Sequence, residues 1–165
     1  MKVYGVAGWK NSGKTGLMER LVATFRAEGL RVSTVKHAHH HADLDRPGKD
    51  SFRHREAGAE EVLVVSGARW ALMHELRGHE EPPLEDLLAR MSPVDLVLVE
   101  GFKTAPHPKI ETHRKETEQT LLCTADPTIR AVASDTPGGI VTERPVFDLN
   151  DTAAIAAFIR ADLDL

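Results

Sequence analysis

The chain has one cysteine, Cys123, among 165 residues. That excludes an internal disulfide framework and suits a reducing cytosol. An excess of positive charge is also missing: the formal net charge is −4 and the isoelectric point is near 6.1. Nothing in that balance points to DNA, RNA or an anionic membrane as a partner. No stretch approaches the ~18 apolar residues of a spanning helix. The opening MKVYGVAGWK holds too short an apolar run for a signal peptide. A cytoplasmic location is the expectation. Internal repeats, low-complexity tracts and a separating linker are lacking too, so residues 1–165 are expected to form a single domain. At 41% hydrophobic and 28% charged, the composition is that of a globular chain.

Short β-rich runs alternate with helical patterns, the signature of an α/β fold around a mostly parallel sheet. Val3 to Ala7 reads as a buried strand ending at Gly8. From Lys14 to Glu28, Leu17, Met18, Leu21, Val22 and Phe25 recur at helical spacing, and Gly29 closes the helix. Arg31 to Lys36 is a second strand. Asp50 or Ser51 is placed to cap a short helix that stops at Gly58. Glu61 to Val65 and Trp70 to Leu76 suggest a hairpin at the sheet edge, with Trp70 read as core in preference to an interface or base-stacking residue. Leu84 to about Met91 predicts a helix after Pro82 and Pro83, and Asp95 to Val99 (DLVLV) is the cleanest buried strand. Lys109 to His113, Arg130 to Ala133 and Val146 to Leu149 are further strands, and Asn150 or Asp151 caps a last helix through Arg160. Arg114 to Asp126 reads as polar loop with at most one helical turn.

Between the first strand and the first helix lies Gly8-Trp-Lys-Asn-Ser-Gly13-Lys14-Thr15, which fits G-x-x-x-x-G-K-[ST] at every fixed position. The chemistry explains the pattern. Glycines let successive backbone N–H groups curl around phosphates, and the helix adds its positive end. Lys14 supplies a point charge and Thr15 a hydroxyl for Mg²⁺. The nucleotide contacts expected are Gly8, Asn11, Ser12, Gly13, Lys14, Thr15 and Gly16.

An acid is needed to position Mg²⁺, at the carboxyl end of a neighbouring strand. Asp95 and Glu100 flank one strand, but five strand residues span about 17 Å, so only one of them can serve. The strand direction selects Glu100, with Thr15, as the metal side, and leaves Asp95 as a solvated strand-entry residue. A purely structural carboxylate is the other reading of Glu100. No N-K-x-D signature for guanine is present, yet Ala131-Val-Ala-Ser-Asp135 ends an apolar run in an acid. Asp135 could accept from N1–H and the exocyclic amine of guanine, or could simply begin the next turn.

GWKNSGKT, VKHAHH, DRPGKDSFRHREAGA, WALMHEL, DLVLVEGFK, PKIETHR and AVASD occur in that order. Together they resemble the family of molybdopterin-guanine dinucleotide biosynthesis adaptor proteins (MobB), over about residues 2 to 160. The resemblance implies a GTP-binding, weakly hydrolytic P-loop protein, typically a homodimer. Such proteins assist the guanylyltransferase that attaches GMP to molybdopterin, which makes that enzyme and molybdopterin-bearing proteins the implied partners. It implies nucleotide contacts at Gly13, Lys14 and Thr15 and an Mg²⁺-side acid at Glu100. Some relatives in the wider class of dimeric P-loop proteins carry a lysine directly after the first loop glycine. Here that residue is Trp9, and the lysine is Lys10. With no partner-reaching lysine and no evident glutamine to orient water, slow hydrolysis is expected, with Lys14 and Glu100 as its catalytic groups.

His37, His39, His40, His41 and Asp43 admit three readings: a zinc-like metal site, an anion-binding edge, or a solvated loop. The anion reading is preferred, because the end of the second strand lies on the ligand edge of such a sheet. It makes Lys36 and His37 cofactor-binding residues and adds Arg46, Lys49, Arg53 and Arg55 to a basic wall. Lys103 and Lys109 extend that rim or are ordinary surface lysines, the latter preferred for Lys109. Asp50 is a helix cap or an Mg²⁺ ligand, His107 a loop residue. The expected fold is thus an α/β, P-loop NTPase-like three-layer arrangement with a mostly parallel sheet and an antiparallel edge hairpin. The expected function is that of a GTP- and Mg²⁺-binding adaptor; a GTP-dependent metallochaperone and a small-molecule kinase are the alternatives.

Overall fold

Every strand of the main sheet runs the same way, so every strand ends at the same edge. The computed structural model describes residues 1–38 and 45–165. Its contacts divide the chain into two compact units, one of residues 1–37 and 91–165, the other of residues 38–90. In the first unit β1 (Lys2–Gly8), β2 (Val32–Lys36), β5 (Leu96–Glu100), β6 (Lys109–His113), β7 (Ile129–Ser134) and β8 (Val146–Asp148) form the sheet. The second contains β3 (Glu61–Val65) and β4 (Trp70–His74). The main sheet has the order β2-β5-β1-β6-β7-β8, with each neighbouring pair parallel.

Strand alternation sorts the faces. Tyr4, Val6, Leu98, Ile110, Ala131 and Ala133 turn to one side, where they pack with Leu17, Leu21 and Phe25 of α1 (Lys14–Ala27). Ile155, Ala156 and Ile159 of α4 (Thr152–Leu163) complete that core, and the Asp151 carboxylate caps α4 by accepting from the Ala154 N–H at 3.0 Å. On the opposite face the fully buried Glu111 carboxylate accepts from the backbone N–H groups of Leu122 and Cys123, at 2.8 and 2.9 Å. Those bonds dock a 3₁₀ turn, Leu122–Thr124, onto the sheet. The stretch expected to be polar loop with at most one helical turn contains two 3₁₀ turns, at Lys115–Thr117 and Leu122–Thr124.

Lys109 departs from expectation. Neither surface lysine nor rim, it is fully buried. Its ammonium donates to the carbonyls of Ala105 and His107 and to the Thr128 hydroxyl at 2.5, 3.1 and 2.6 Å, with Asp126 at 3.8 Å. A cation so enclosed persists because its donors are all satisfied. Beside it the His107 ring lies against Gly5, where an added Cβ would come 2.6 Å from Nε2. Both ring nitrogens are buried with no hydrogen-bond partner among the described residues.

The second unit holds α2 (Asp50–Glu56), α3 (Leu84–Ala89) and the antiparallel pair β3–β4, registered from Glu61 opposite His74 to Val65 opposite Trp70. The hairpin forms where expected, with its second strand ending at His74 and not Leu76, but β3 and β4 form a sheet of their own. An antiparallel pair closed by a tight turn satisfies its inner hydrogen bonds locally, so the sequence pattern does not say where the pair attaches. Trp70 is 65% exposed, not core. It lines one hairpin face with Leu63, Val65 and Leu72, all exposed, because the pairs Leu63–Leu72 and Val65–Trp70 lie directly across the two strands. Asp50 does not cap α2 either: Lys49 holds the cap position, and Asp50 stands in the first turn, where its charge suits the helix dipole. Arg55 pairs with Asp45 at 3.5 Å and Glu75 at 2.8 Å inside this unit, so its charge is already matched. Among the described residues, no helix is long and apolar enough to cross a membrane.

Burial, aided by the charge of Lys109 and opposed by Asp126, pushes the His107 pKa down to about 4 from 6.5. A depressed histidine pKa means the unfolded chain binds the proton first as pH falls. Stability should therefore be full above pH 6.5 and decline between about pH 6.5 and 4, by on the order of 2 kcal/mol. Urea unfolding at pH 7 and pH 5 should show this decline in the unaltered protein and a smaller one in His107→Gln.

Candidate functional site

The loop joining β1 to α1 is shaped by three unusual backbone angles. Gly8 has φ of 148°, Asn11 64° and Gly13 97°. At Gly8 a Cβ would lie 2.5 Å from Ser12 Oγ and 2.6 Å from both Thr112 O and Thr112 Oγ1. Only glycine fits there. The Ser12 side chain is turned inward, 2.7 Å from the Thr112 hydroxyl, which in turn donates to the Ala7 carbonyl at 3.1 Å. Ser12 thus offers a ligand its backbone, not its hydroxyl. Gly13 occupies the cap position of α1 with no side-chain cap, so the first N–H groups of that helix have no acceptor from a capping side chain. A cavity of about 440 Å³ opens over them, lined by Asn11, Gly13, Lys14, Thr15, Gly16, Arg114 and Glu116.

Parallel register brings the remaining groups to this edge. β5 lies between β1 and β2, with Glu100 opposite Val6 on one side and Lys36 on the other. The Thr15 hydroxyl donates to Glu100 Oε1 at 3.3 Å, and Lys36 Nζ stands 3.6 Å from the same oxygen. Lys14 Nζ donates to the carbonyls of Gly8 and Trp9 at 3.1 and 2.7 Å. Burial lowers its pKa, Glu100 opposes that shift, and the nearby cations Lys103 and Lys36 add to it. His37 follows β2, donates its backbone N–H to the Glu100 carbonyl at 2.8 Å and stacks on Phe102 with ring centroids 4.6 Å apart. Trp9 is fixed by an Nε1–H bond to the Thr120 carbonyl at 2.9 Å, with Lys103 Nζ 4.5 Å from its ring centre.

Asp95, by contrast, sits at the far end of β5. It is held by Arg31, whose backbone N–H donates to Oδ2 at 2.7 Å and whose guanidinium stands 3.2 Å from Oδ1. Those hydrogen bonds from Arg31 lower its pKa. Asp135 follows β7, two strands from β1, and its Oδ1 accepts from the Lys115 N–H at 3.1 Å. His39, His40, His41 and Asp43 lie outside the described residues. Among the described residues no group of three or more His, Cys, Asp or Glu side chains is arranged to hold a metal ion. Arg46, Lys49 and Arg53 belong to the other unit.

Sequence reasoning missed Thr112, Arg114 and Glu116. Thr112 buttresses the loop from β6, and the other two line its cavity. The signal for Thr112 and Arg114, the end of PKIETHR, becomes informative only once β6 is known to neighbour β1, and Glu116 lies two residues beyond it.

The profile of a protein family described as "Molybdopterin guanine dinucleotide synthesis protein B" (MobB) matches residues 3–135. The chain is 41% identical over 160 residues to the molybdopterin-guanine dinucleotide biosynthesis adapter protein of Haemophilus influenzae, spanning 95% of this chain and 86% of that one. It is 40% identical over 159 residues to the protein of the same name from Escherichia coli, spanning 93% and 88%. Among solved structures, the crystal structure of a MobB protein homolog from Bacillus stearothermophilus superposes with a TM-score of 0.75 at 33% identity, over 99% of each chain.

Because Gly8 is boxed in at a positive φ, Gly8→Ala should destabilise the protein by roughly 2–3 kcal/mol. Chemical denaturation of the ligand-free protein measures this directly; a loss below about 0.5 kcal/mol would mean that the loop adapts freely.

Proposed function

The chain belongs to the MobB family of molybdopterin guanine dinucleotide synthesis proteins, and from that premise we propose that it is a GTP-binding adaptor in this biosynthesis. On this reading it hydrolyses GTP slowly and assists the guanylyltransferase that joins GMP to molybdopterin. The observation that carries the nucleotide reading is the meeting of the Thr15 hydroxyl with the Glu100 carboxylate at 3.3 Å, beside a helix start that has no side-chain cap. Two hard oxygen donors side by side fit Mg²⁺, which keeps several waters and takes its other ligands from phosphates. Bound there, Mg²⁺ would supply charge neutralisation to the phosphates. Gly13, Thr15 and Gly16 bind phosphate through backbone N–H groups, and Lys14 through its ammonium, exchanging the loop carbonyls it now holds. Lys36, 3.6 Å from the Glu100 carboxylate, and His37, bonded to the Glu100 backbone, bind the nucleotide from the metal side on this reading, and Asp135 accepts from the guanine edge. A cytoplasmic location belongs to the same reading.

A homodimer is part of the proposal. The apolar face made by Leu63, Val65, Trp70 and Leu72 is exposed on the hairpin, and single chains seldom leave such a patch uncovered.

Lys14→Ala should weaken GTP binding by about 100-fold or more, since it removes a partly desolvated ammonium from the loop. Isothermal titration with Mg²⁺ reads this; micromolar affinity retained by the variant would sink the phosphate-loop assignment. Glu100→Gln should abolish the Mg²⁺-dependent part of the affinity while leaving the EDTA value nearly unchanged. Trp70→Glu should shift the protein from dimer to monomer in light scattering at micromolar concentration. A monomeric unaltered protein would remove the dimer from the proposal.

A further inference from the structure

The loop cavity also holds an arginine that the Mg²⁺ and phosphate-loop contacts leave unused. Arg114 directly follows β6, which pairs with β1 from Gly5 opposite Lys109 to Gly8 opposite Thr112. This pairing lays the guanidinium over the loop: a Cβ built on Gly13 would stand 3.2 Å from Arg114 Nε and 3.7 Å from Nη2. The Nε atom is buried, yet it has no hydrogen-bond partner among the described residues. Leaving such a donor unpaired costs on the order of 1–3 kcal/mol, so native proteins seldom do it without a reason. The other arm of the fork, Nη1, is 3.6 Å from Glu116 Oε1, and both side chains border the cavity. An unpaired Nε–Nη2 edge beside a phosphate loop is the donor pair that grips an oxyanion in bidentate fashion.

Topology says which phosphates it can reach. Glu100 and Lys36 approach the loop from β5 and β2, on one side of β1; Arg114 approaches from β6, on the other. A nucleotide whose metal-bound end lies toward Glu100 has its nucleoside end toward β6 and β7. We propose that Arg114 clamps the nucleoside-proximal phosphates, the α- and β-groups common to GDP and GTP, and not the γ-phosphate. Glu116 is its holding partner in the free protein: it parks the guanidinium at the cavity rim and yields it when the more highly charged phosphates arrive. The inference rests on the nucleotide-binding reading above.

The test is titration of GDP and GTP, at one fixed salt concentration, into the unaltered protein, Arg114→Met, Arg114→Lys and Glu116→Gln. Arg114→Met should weaken both nucleotides by the same factor, about 10- to 100-fold. Arg114→Lys, which keeps the charge but not the fork, should recover only part of that loss. Glu116→Gln should tighten both several-fold, by freeing the guanidinium and removing a repelling carboxylate. A loss confined to GTP would overturn the assignment in favour of the γ-phosphate. Thermal melting of the ligand-free Arg114→Met protein should be no lower than that of the parent; a fall that tracks the affinity loss would make the role structural and overturn the clamp. If Lys14→Ala loses binding while Arg114→Met does not, this inference alone fails. If the unaltered protein binds neither nucleotide, the phosphate-loop reading fails and the clamp with it.

Discussion

The parallel pairing of β1 with β5 on one side and β6 on the other is the constraint on which the rest of the structure depends. Parallel strands all end at one edge, so the loop after β1 is met there by the residues that end its two neighbours. From β5 comes Glu100, which accepts from Thr15; from β6 come Thr112, which props Ser12, and Arg114, which covers Gly13. A strand order that put β5 or β6 elsewhere would leave the same loop without its acid or its buttress.

That edge is also an arrangement of charge. Lys14, Lys36 and Lys103 lie close enough for each of the latter two to lower the pKa of the first, and Glu100 is the acid that opposes them. The ammonium of Lys14 is satisfied by two loop carbonyls, which are neutral acceptors that an anion can displace. A partly buried cation with only dipolar partners has a large electrostatic gain available from a phosphate. The buried Lys109 shows the contrasting case. Three oxygen acceptors and a nearby carboxylate leave its charge no reason to seek another partner, and it serves to tie the segment of residues 105–108 to the sheet.

The second unit obeys different rules. Its helices are short, at seven and six residues, and its hairpin closes on itself. Within it, several charges are matched locally, as in the Asp45–Arg55–Glu75 series and the cross-strand pair of His74 and Glu61. The unmatched feature is apolar: one hairpin face with Leu63, Val65, Trp70 and Leu72 turned to solvent. Composition alone could not separate this from a core strand, because a residue such as Trp70 is written the same way in both.

What the sequence determined by itself was the local chemistry. The spacing of Gly8, Gly13, Lys14 and Thr15, the periodicity of α1, and the apolar run ending at Glu100 are short-range patterns. Each is imposed by backbone geometry within a few residues, and each is found where the pattern placed it. Tertiary structure alone decided which distant segments meet. That Arg114 stands over Gly13, that Lys109 is buried and that Asp95 turns to Arg31 depend on strand order and on the packing of loops against a sheet face. So does the exposure of Trp70, since a strand's two faces are equivalent until something covers one of them. Hydrogen bonding along the chain is local and legible in the residues; pairing across the sheet and burial are collective, and no single stretch of sequence carries them.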